Sequence, residues 1–277
     1  MTVNSDPQEA NPAPAVRARQ LDKVFHTKTG QVQALAGVEL EVAEGEFVSL
    51  IGPSGCGKST LMRLIADLES SSSGDLHVFG KSPAQARIDQ DYGIAFQQAG
   101  LLPWRTVAGN IALPLEVHGV ATGQRKARVA ELAKMVGLSE FTDSYPDQLS
   151  GGMQQRVAIA RSLAEQPRLL LMDEPFGALD EMTRERMQAE LSRIAGETGA
   201  AVVFVTHSIP EAVFLSDRVI VMSARPGRIT GTISTGIGRE VARDEALRET
   251  TAFFDKVTQV REALHGGPVS SGAREGR

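Results

Sequence analysis

The chain has little sulfur chemistry and few aromatic anchors: one cysteine, Cys56, and one tryptophan, Trp104, in 277 residues. A single cysteine cannot close an internal disulfide or build a cysteine zinc site. Long apolar runs are also missing. The longest, at 200–205, has six residues, against the ~20 that a bilayer-spanning helix needs. The first fifteen residues have neither a basic stretch nor an apolar one, so no secretory signal is expected and the cytosol is the default compartment. Positive charge is not in excess. Lys and Arg number 29 against 34 Asp and Glu, a formal charge of −5, which argues against a nucleic-acid wrapper. What remains is ample core material. With 42% hydrophobic and 23% charged residues, whole-chain disorder is excluded, and the length suits one large α/β domain or a domain with an inserted subdomain.

Short apolar runs at 47–51, 93–96, 169–172, 201–205 and 219–222 have the character of strands. Most are continuously apolar, as in a parallel sheet covered on both faces. Between them Leu61, Leu64, Ile65 and Leu68, and again Val129, Leu132, Ala133 and Val136, recur at helical spacing. Residues 16–47 are β-rich and antiparallel in character, with a turn at Glu44 and Gly45. The stretch from about 100 to 165 lacks a strand signal and is expected to form a helical subdomain. The main domain is expected over 16–235, with a helical extension over 236–265. There Phe253, Val257, Val260 and Leu264 share one face, which would pack back on the domain. Polar tails are expected at 1–15 and 266–277.

Chemistry clusters immediately after the strands. Residues 52–59 read GPSGCGKS and fit G-x-x-x-x-G-K-[ST] between a strand and an amphipathic helix, the context that pattern needs. Glycines let the backbone wrap a phosphate, and the N–H groups form an anion nest at a helix N-terminus. Gly52, Pro53, Ser54, Gly55, Cys56, Gly57, Lys58, Ser59 and the following Thr60 are therefore the candidate phosphate-binding residues. Lys58 would bridge the β- and γ-phosphates and the Ser59 hydroxyl would ligate Mg²⁺. Asp173 ends a buried strand and can hold Mg²⁺ through water, while the adjacent Glu174 can polarise an attacking water. Cys56 occupies a variable position of the loop, where a small space-filling role competes with that of a reactive thiol. A third constellation, LSGGMQQR at 149–156, offers Ser150 as N-cap and Gly151 and Gly152 at a second helix start. One nucleotide already has its phosphates in the first loop, so this second anion site would serve the nucleotide of another copy.

These motifs resemble the ATPase subunit of an ATP-binding cassette transporter over roughly residues 16–235. The resemblance implies a phosphate-loop NTPase-like α/β core with a mainly parallel sheet, an antiparallel N-terminal β subdomain and an inserted helical subdomain. It also implies ATP and Mg²⁺ as ligands. Two subunits would pair head to tail as a homodimer, with Ser150, Gly151 and Gly152 of one copy meeting the ATP held by the other. By the same resemblance Gln97 is the glutamine-loop residue, touching the metal and sensing the γ-phosphate. Asp180, in GALD at 177–180, belongs to the D-loop. His207 is the switch histidine, and Phe25 is the aromatic that stacks on adenine, a position where Tyr is commoner. Stacking needs only the ring face.

Trp104, in LLPW at 101–104, falls where the family docks the coupling helix of an integral membrane permease, and it is expected to be partly exposed. LLPW, MDEPFGALDEMTRE and ARPGRI together resemble the nitrate, taurine and aliphatic sulfonate importer subgroup. That resemblance implies a translocase subunit on the cytoplasmic side of the cell membrane, with a solute-binding protein as an indirect partner and no nucleic acid. Other importers or an exporter are the nearest alternatives. A soluble cassette ATPase would carry coiled-coil insertions or tandem cassettes, and a regulatory GTPase an Asn-Lys-x-Asp segment, none of which is seen.

Overall fold

The structure is a computed structural model, and it describes residues 13–28, 30–237, 243 and 245–266. The expected tails lie almost wholly outside these residues. At the N-terminal edge, however, Ala15 is fully buried and its carbonyl accepts the Phe79 N–H at 3.0 Å.

The strands are β1 (Val16–Thr27), β2 (Gly30–Val42), β3 (Phe47–Ile51), β4 (Ser73–Val78), β5 (Tyr92–Ala95), β6 (Leu169–Asp173), β7 (Ala201–Val205), β8 (Arg218–Met222) and β9 (Ile229–Ser234). The α-helices are α1 (Lys58–Ile65), α2 (Pro83–Ile88), α3 (Val107–Val117), α4 (Thr122–Met135), α5 (Gly151–Ser162), α6 (Glu181–Thr198), α7 (Ile209–Leu215), α8 (Glu245–Arg248) and α9 (Thr251–Leu264). A six-stranded sheet runs in the order β5-β6-β7-β3-β8-β9, parallel except for the last pair, and a three-stranded antiparallel sheet runs β2-β1-β4.

Every residue of β3, β6 and β7 is buried, because successive side chains point to opposite faces and both faces are covered. On one face Val48, Leu50, Leu171 and Val203 meet Leu61, Leu64 and Ile65 of α1 and the antiparallel sheet. On the other, Phe47, Met172, Phe204 and Val221 join the helices that follow β6 and β7, together with Phe253, Val257 and Val260 of α9. Leu264 packs against the same cluster while remaining partly exposed.

Sequence and structure differ in three places. Helix α1 stops at Ile65, and Asp67 turns the chain with φ of 50°, which leaves Leu68 half-exposed instead of on the helix face. β4 (SGDLHV) is mostly exposed and carries too little apolar residue to announce itself. β9 pairs antiparallel with β8 and makes the main sheet mixed.

Between residues 100 and 165 only helices and turns occur. α3 is capped by the Thr106 hydroxyl and α5 by that of Ser150. α5 is tied to the loop after β5. Gln155, itself buried, donates to the Phe96 carbonyl at 2.9 Å, and Arg161 donates to the carbonyls of Ala99 at 2.7 Å and Gly100 at 3.0 Å. Trp104 stands out from this region with 71% of its surface exposed. Among the described residues, no helix is long and apolar enough to cross a membrane.

Candidate active site

The loop between β3 and α1 is shaped by glycines at the points where a side chain cannot fit. Gly57, the residue before α1, has φ of 106°, and a Cβ there would lie 2.7 Å from Leu35 Cδ2 and 3.0 Å from the Ala34 carbonyl oxygen. Gly57→Ala is therefore expected to cost at least ~1 kcal/mol of stability from backbone strain and to distort the nest. A lowered melting temperature together with weakened nucleotide titration would check this; wild-type values for both would refute it. Lys58 is buried, and its ammonium donates to the carbonyls of Gly52 at 2.8 Å and Pro53 at 3.2 Å, curling the side chain under the loop. Cys56 is buried, with its Sγ 3.7 Å from Lys58 Nζ. Cys56 is also among the residues that line the cavity described next.

Residues 54–60 line a cavity of about 780 Å³ together with Gln97, Glu174 and His207. Phe25 and Thr27 of β1, with Val32 and Ala34 of β2, line it as well. Lys23 holds its ammonium 4.6 Å from the centroid of the Phe25 ring, which is half-buried and lines the cavity. Arg225 completes the rim and donates to the Gly55 carbonyl at 3.2 Å.

At the sheet edge the ends of adjacent parallel strands converge. Asp173, the last residue of β6, is buried. Burial pushes its carboxyl above the ordinary range, with the nearby Ser59 hydroxyl pulling the other way. A buried carboxylate near a serine hydroxyl suits a hard cation. Among the described residues no group of three His, Cys, Asp or Glu could hold a metal, so such an ion would take further ligands from phosphate oxygens and water.

Glu174 follows with φ of 47°, in the left-handed region. Its N–H donates to the Val205 carbonyl of β7 at 2.9 Å. Its carboxylate oxygen Oε2 accepts from Gln97 Nε2 at 3.1 Å and lies 3.3 Å from His207 Nδ1. Three residues from the ends of β5, β6 and β7 thus meet on one oxygen. The segment behind them is fixed by Phe176, whose ring lies 5.6 Å from that of Phe204 in β7.

Ser150, Gly151 and Gly152 do not line this cavity. Ser150 is exposed and caps α5 by accepting the Met153 N–H at 3.3 Å; a Cβ on Gly151 would meet nothing within 4 Å. Asp180 also lies off the cavity. Its carboxylate accepts the Thr183 N–H at 3.0 Å as the N-cap of α6, and that bond holds its pKa below the usual value. No sequence pattern singles out Gln155, Arg161 or Arg225 as part of the site. Their partners are backbone carbonyls far away in the chain, which leave no local mark.

The fold and the cavity define a phosphate-loop nucleotide-binding protein with a second helix start turned outward. Residues 35–177 match the family model described as ABC transporter. The aliphatic sulfonates import ATP-binding protein SsuB 1 of Xanthomonas axonopodis pv. citri is 50% identical over 79% of this chain and 88% of its own. The nitrate import ATP-binding protein NrtD of Synechocystis is 41% identical over 89% of this chain and 93% of its own. Among solved structures, the dimeric ABC transporter cassette MJ0796 superposes with a TM-score of 0.74 at 35% identity, over 79% of this chain and 98% of that one. The same cassette is also known in a dimeric post-hydrolysis state bound to ADP and Pi. The chain belongs to the ABC transporter family, as an ATP-binding subunit.

Proposed function

We propose that this chain hydrolyses ATP as a head-to-tail homodimer, on the cytoplasmic side of the cell membrane, to drive import of a small anion. The anion class is an aliphatic sulfonate such as taurine, or nitrate. The observation that carries the reading is the meeting of Gln97, Glu174 and His207 in the lining of the phosphate-loop cavity, with Ser150 exposed and outside that lining.

ATP phosphates lie on the N–H groups of residues 54–60 at the start of α1, with Lys58 on the β- and γ-phosphates. The adenine stacks on the ring of Phe25. Glu174 orients a water for attack on the γ-phosphorus and takes its proton. Gln97 and His207 hold the Glu174 carboxylate and contact the γ-phosphate. Mg²⁺, held by Ser59, Asp173 and Gln97, would neutralise charge developing on the phosphate oxygens. The partner's γ-phosphate is met by the Ser150 hydroxyl and the N–H groups at Gly151 and Gly152, with Asp180 beside that interface. Loss of the γ-phosphate on hydrolysis removes those contacts and reopens the dimer.

The exposed Trp104 is the anchor for the permease subunits, and a solute-binding protein acts through them. Trp104→Ala is expected to lose the membrane subunits on co-purification, since truncating a buried interface tryptophan costs about 2–4 kcal/mol, while still binding ATP. Retention of the membrane subunits at wild-type stoichiometry would refute the anchor. The reading as a whole is tested by reconstituting the complex and measuring ATPase activity with sulfonates, nitrate and unrelated solutes. Stimulation confined to an unrelated solute class would overturn the anion assignment.

A further inference from the structure

Behind His207 lies a chain of buried polar groups that the reaction as described does not use. Thr206, Gln188 and Glu211 are exposed by only 2%, 2% and 7%. The Thr206 hydroxyl donates to one oxygen of the Glu211 carboxylate and accepts the Ser208 N–H at 3.0 Å, so it brackets His207 from both sides. The other carboxylate oxygen accepts from Gln188 Nε2 of α6 at 2.8 Å. Gln188 Oε1 in turn accepts from Arg248 Nη2 of α8 at 2.5 Å. The amide has one orientation that serves both neighbours, its NH₂ toward the carboxylate and its oxygen toward the guanidinium. Arg248 is seated by the Phe214 ring, 4.1 Å from its centroid, and lies 3.9 Å from Glu185.

A helix cap does not account for this arrangement. The Ser208 hydroxyl already accepts the Glu211 N–H at 3.4 Å, and an apolar side chain would fill the space without the cost of burying a carboxylate. What the carboxylate adds is direction. It holds the hydroxyl of the residue before His207, and that hydroxyl holds the N–H of the residue after it.

We infer that Glu211 is a positioning residue for ATP hydrolysis: through Thr206 it sets the turn that carries His207, and through Gln188 it ties that turn to Arg248 in the C-terminal helical segment. The inference rests on the reading of His207 as a γ-phosphate contact. A displaced His207 turn lowers kcat with little effect on ATP binding, because the phosphate loop and Phe25 lie outside the chain of bonds. Movement of α8 reaches the active site by the same route.

The test uses the full chain and measures kcat, KM for ATP and melting temperature. Glu211→Gln presents an NH₂ group to Gln188 Nε2 or to Thr206. It is expected to lower kcat by about 10- to 100-fold, the scale of a misplaced catalytic group, with KM changed less than about threefold. The double exchange Glu211→Gln with Gln188→Glu restores the pairing. The amide at position 211 accepts from Thr206 and donates to the carboxylate at position 188, which faces Arg248 directly. The double variant is expected to recover kcat to within about threefold of wild type, as coupled neighbours do. Arg248→Met is expected to lower kcat by about threefold or more.

Wild-type kcat in Glu211→Gln or in Arg248→Met would overturn the inference. So would a double exchange that regains the melting temperature but not kcat, since that marks a structural role alone. Should Glu211→Gln fail to fold, the double exchange and Arg248→Met still decide. His207→Ala separates the two levels: full hydrolysis by that variant undoes the underlying reading, whereas an inactive His207→Ala beside a fully active Glu211→Gln undoes only this inference.

Discussion

Glu174→Gln is expected to reduce ATP turnover by about 10²- to 10⁴-fold, the contribution of a positioned general base, while ATP binding survives. The substitution keeps the shape of the side chain and an oxygen able to accept from Gln97 Nε2, which lies 3.1 Å from the carboxylate. It removes the basic oxygen pair and one negative charge facing the γ-phosphate. Less repulsion at that end of the cavity strengthens ATP affinity, and an unhydrolysed γ-phosphate keeps both halves of the site engaged. The variant should therefore accumulate as an ATP-bound dimer visible by size-exclusion chromatography. Hydrolysis at the wild-type rate would remove Glu174 as the base.

Ser150→Arg is expected to abolish hydrolysis, to below about one part in a hundred, the scale lost when a γ-phosphate donor is removed and its place blocked. Affinity of the isolated protomer for ATP should stay within about twofold, because Ser150 does not line the cavity. The hydroxyl also caps α5, accepting the Met153 N–H at 3.3 Å, so part of any defect is lost helix stability of about 1 kcal/mol. Ser150→Ala loses the same cap without adding bulk and serves as the control. The arginine should be far more damaging than the alanine at similar melting temperatures, and in the Glu174→Gln background it should prevent ATP-driven dimerisation. A Ser150→Arg protomer unable to bind ATP would refute an action on the partner's nucleotide.

The phosphate loop was legible because its chemistry is contiguous. Glycine spacing, a following lysine and serine, and the switch from an apolar run to helical periodicity all lie within about twenty residues. Asp173 and Glu174 were legible for a related reason, since a carboxylate pair closing an apolar run marks the end of a buried strand. Leu68 failed because periodicity continues past the point where Asp67 turns the backbone. β4 failed because it lies at the edge of the small sheet and its exposed residues carry no alternation. Asp180 shows a further limit: its place after the sheet is plain in the sequence, but its capping bond to Thr183 is not.

The amino-acid order alone determined that this protein grips a phosphate chain, because nest, lysine and serine are set by local backbone geometry. It also marked a second helix start, at Ser150, which caps α5. Tertiary structure decided what meets what. The order β5-β6-β7 brings Gln97, Glu174 and His207 to a single oxygen, and packing of the small sheet beside α1 places Phe25 in the cavity lining. The chain from Thr206 to Arg248 exists only because α6, α7 and α8 are packed together. Hydrogen bonds between groups tens of residues apart have no signature in spacing; they are fixed only when burial removes water as the competing partner.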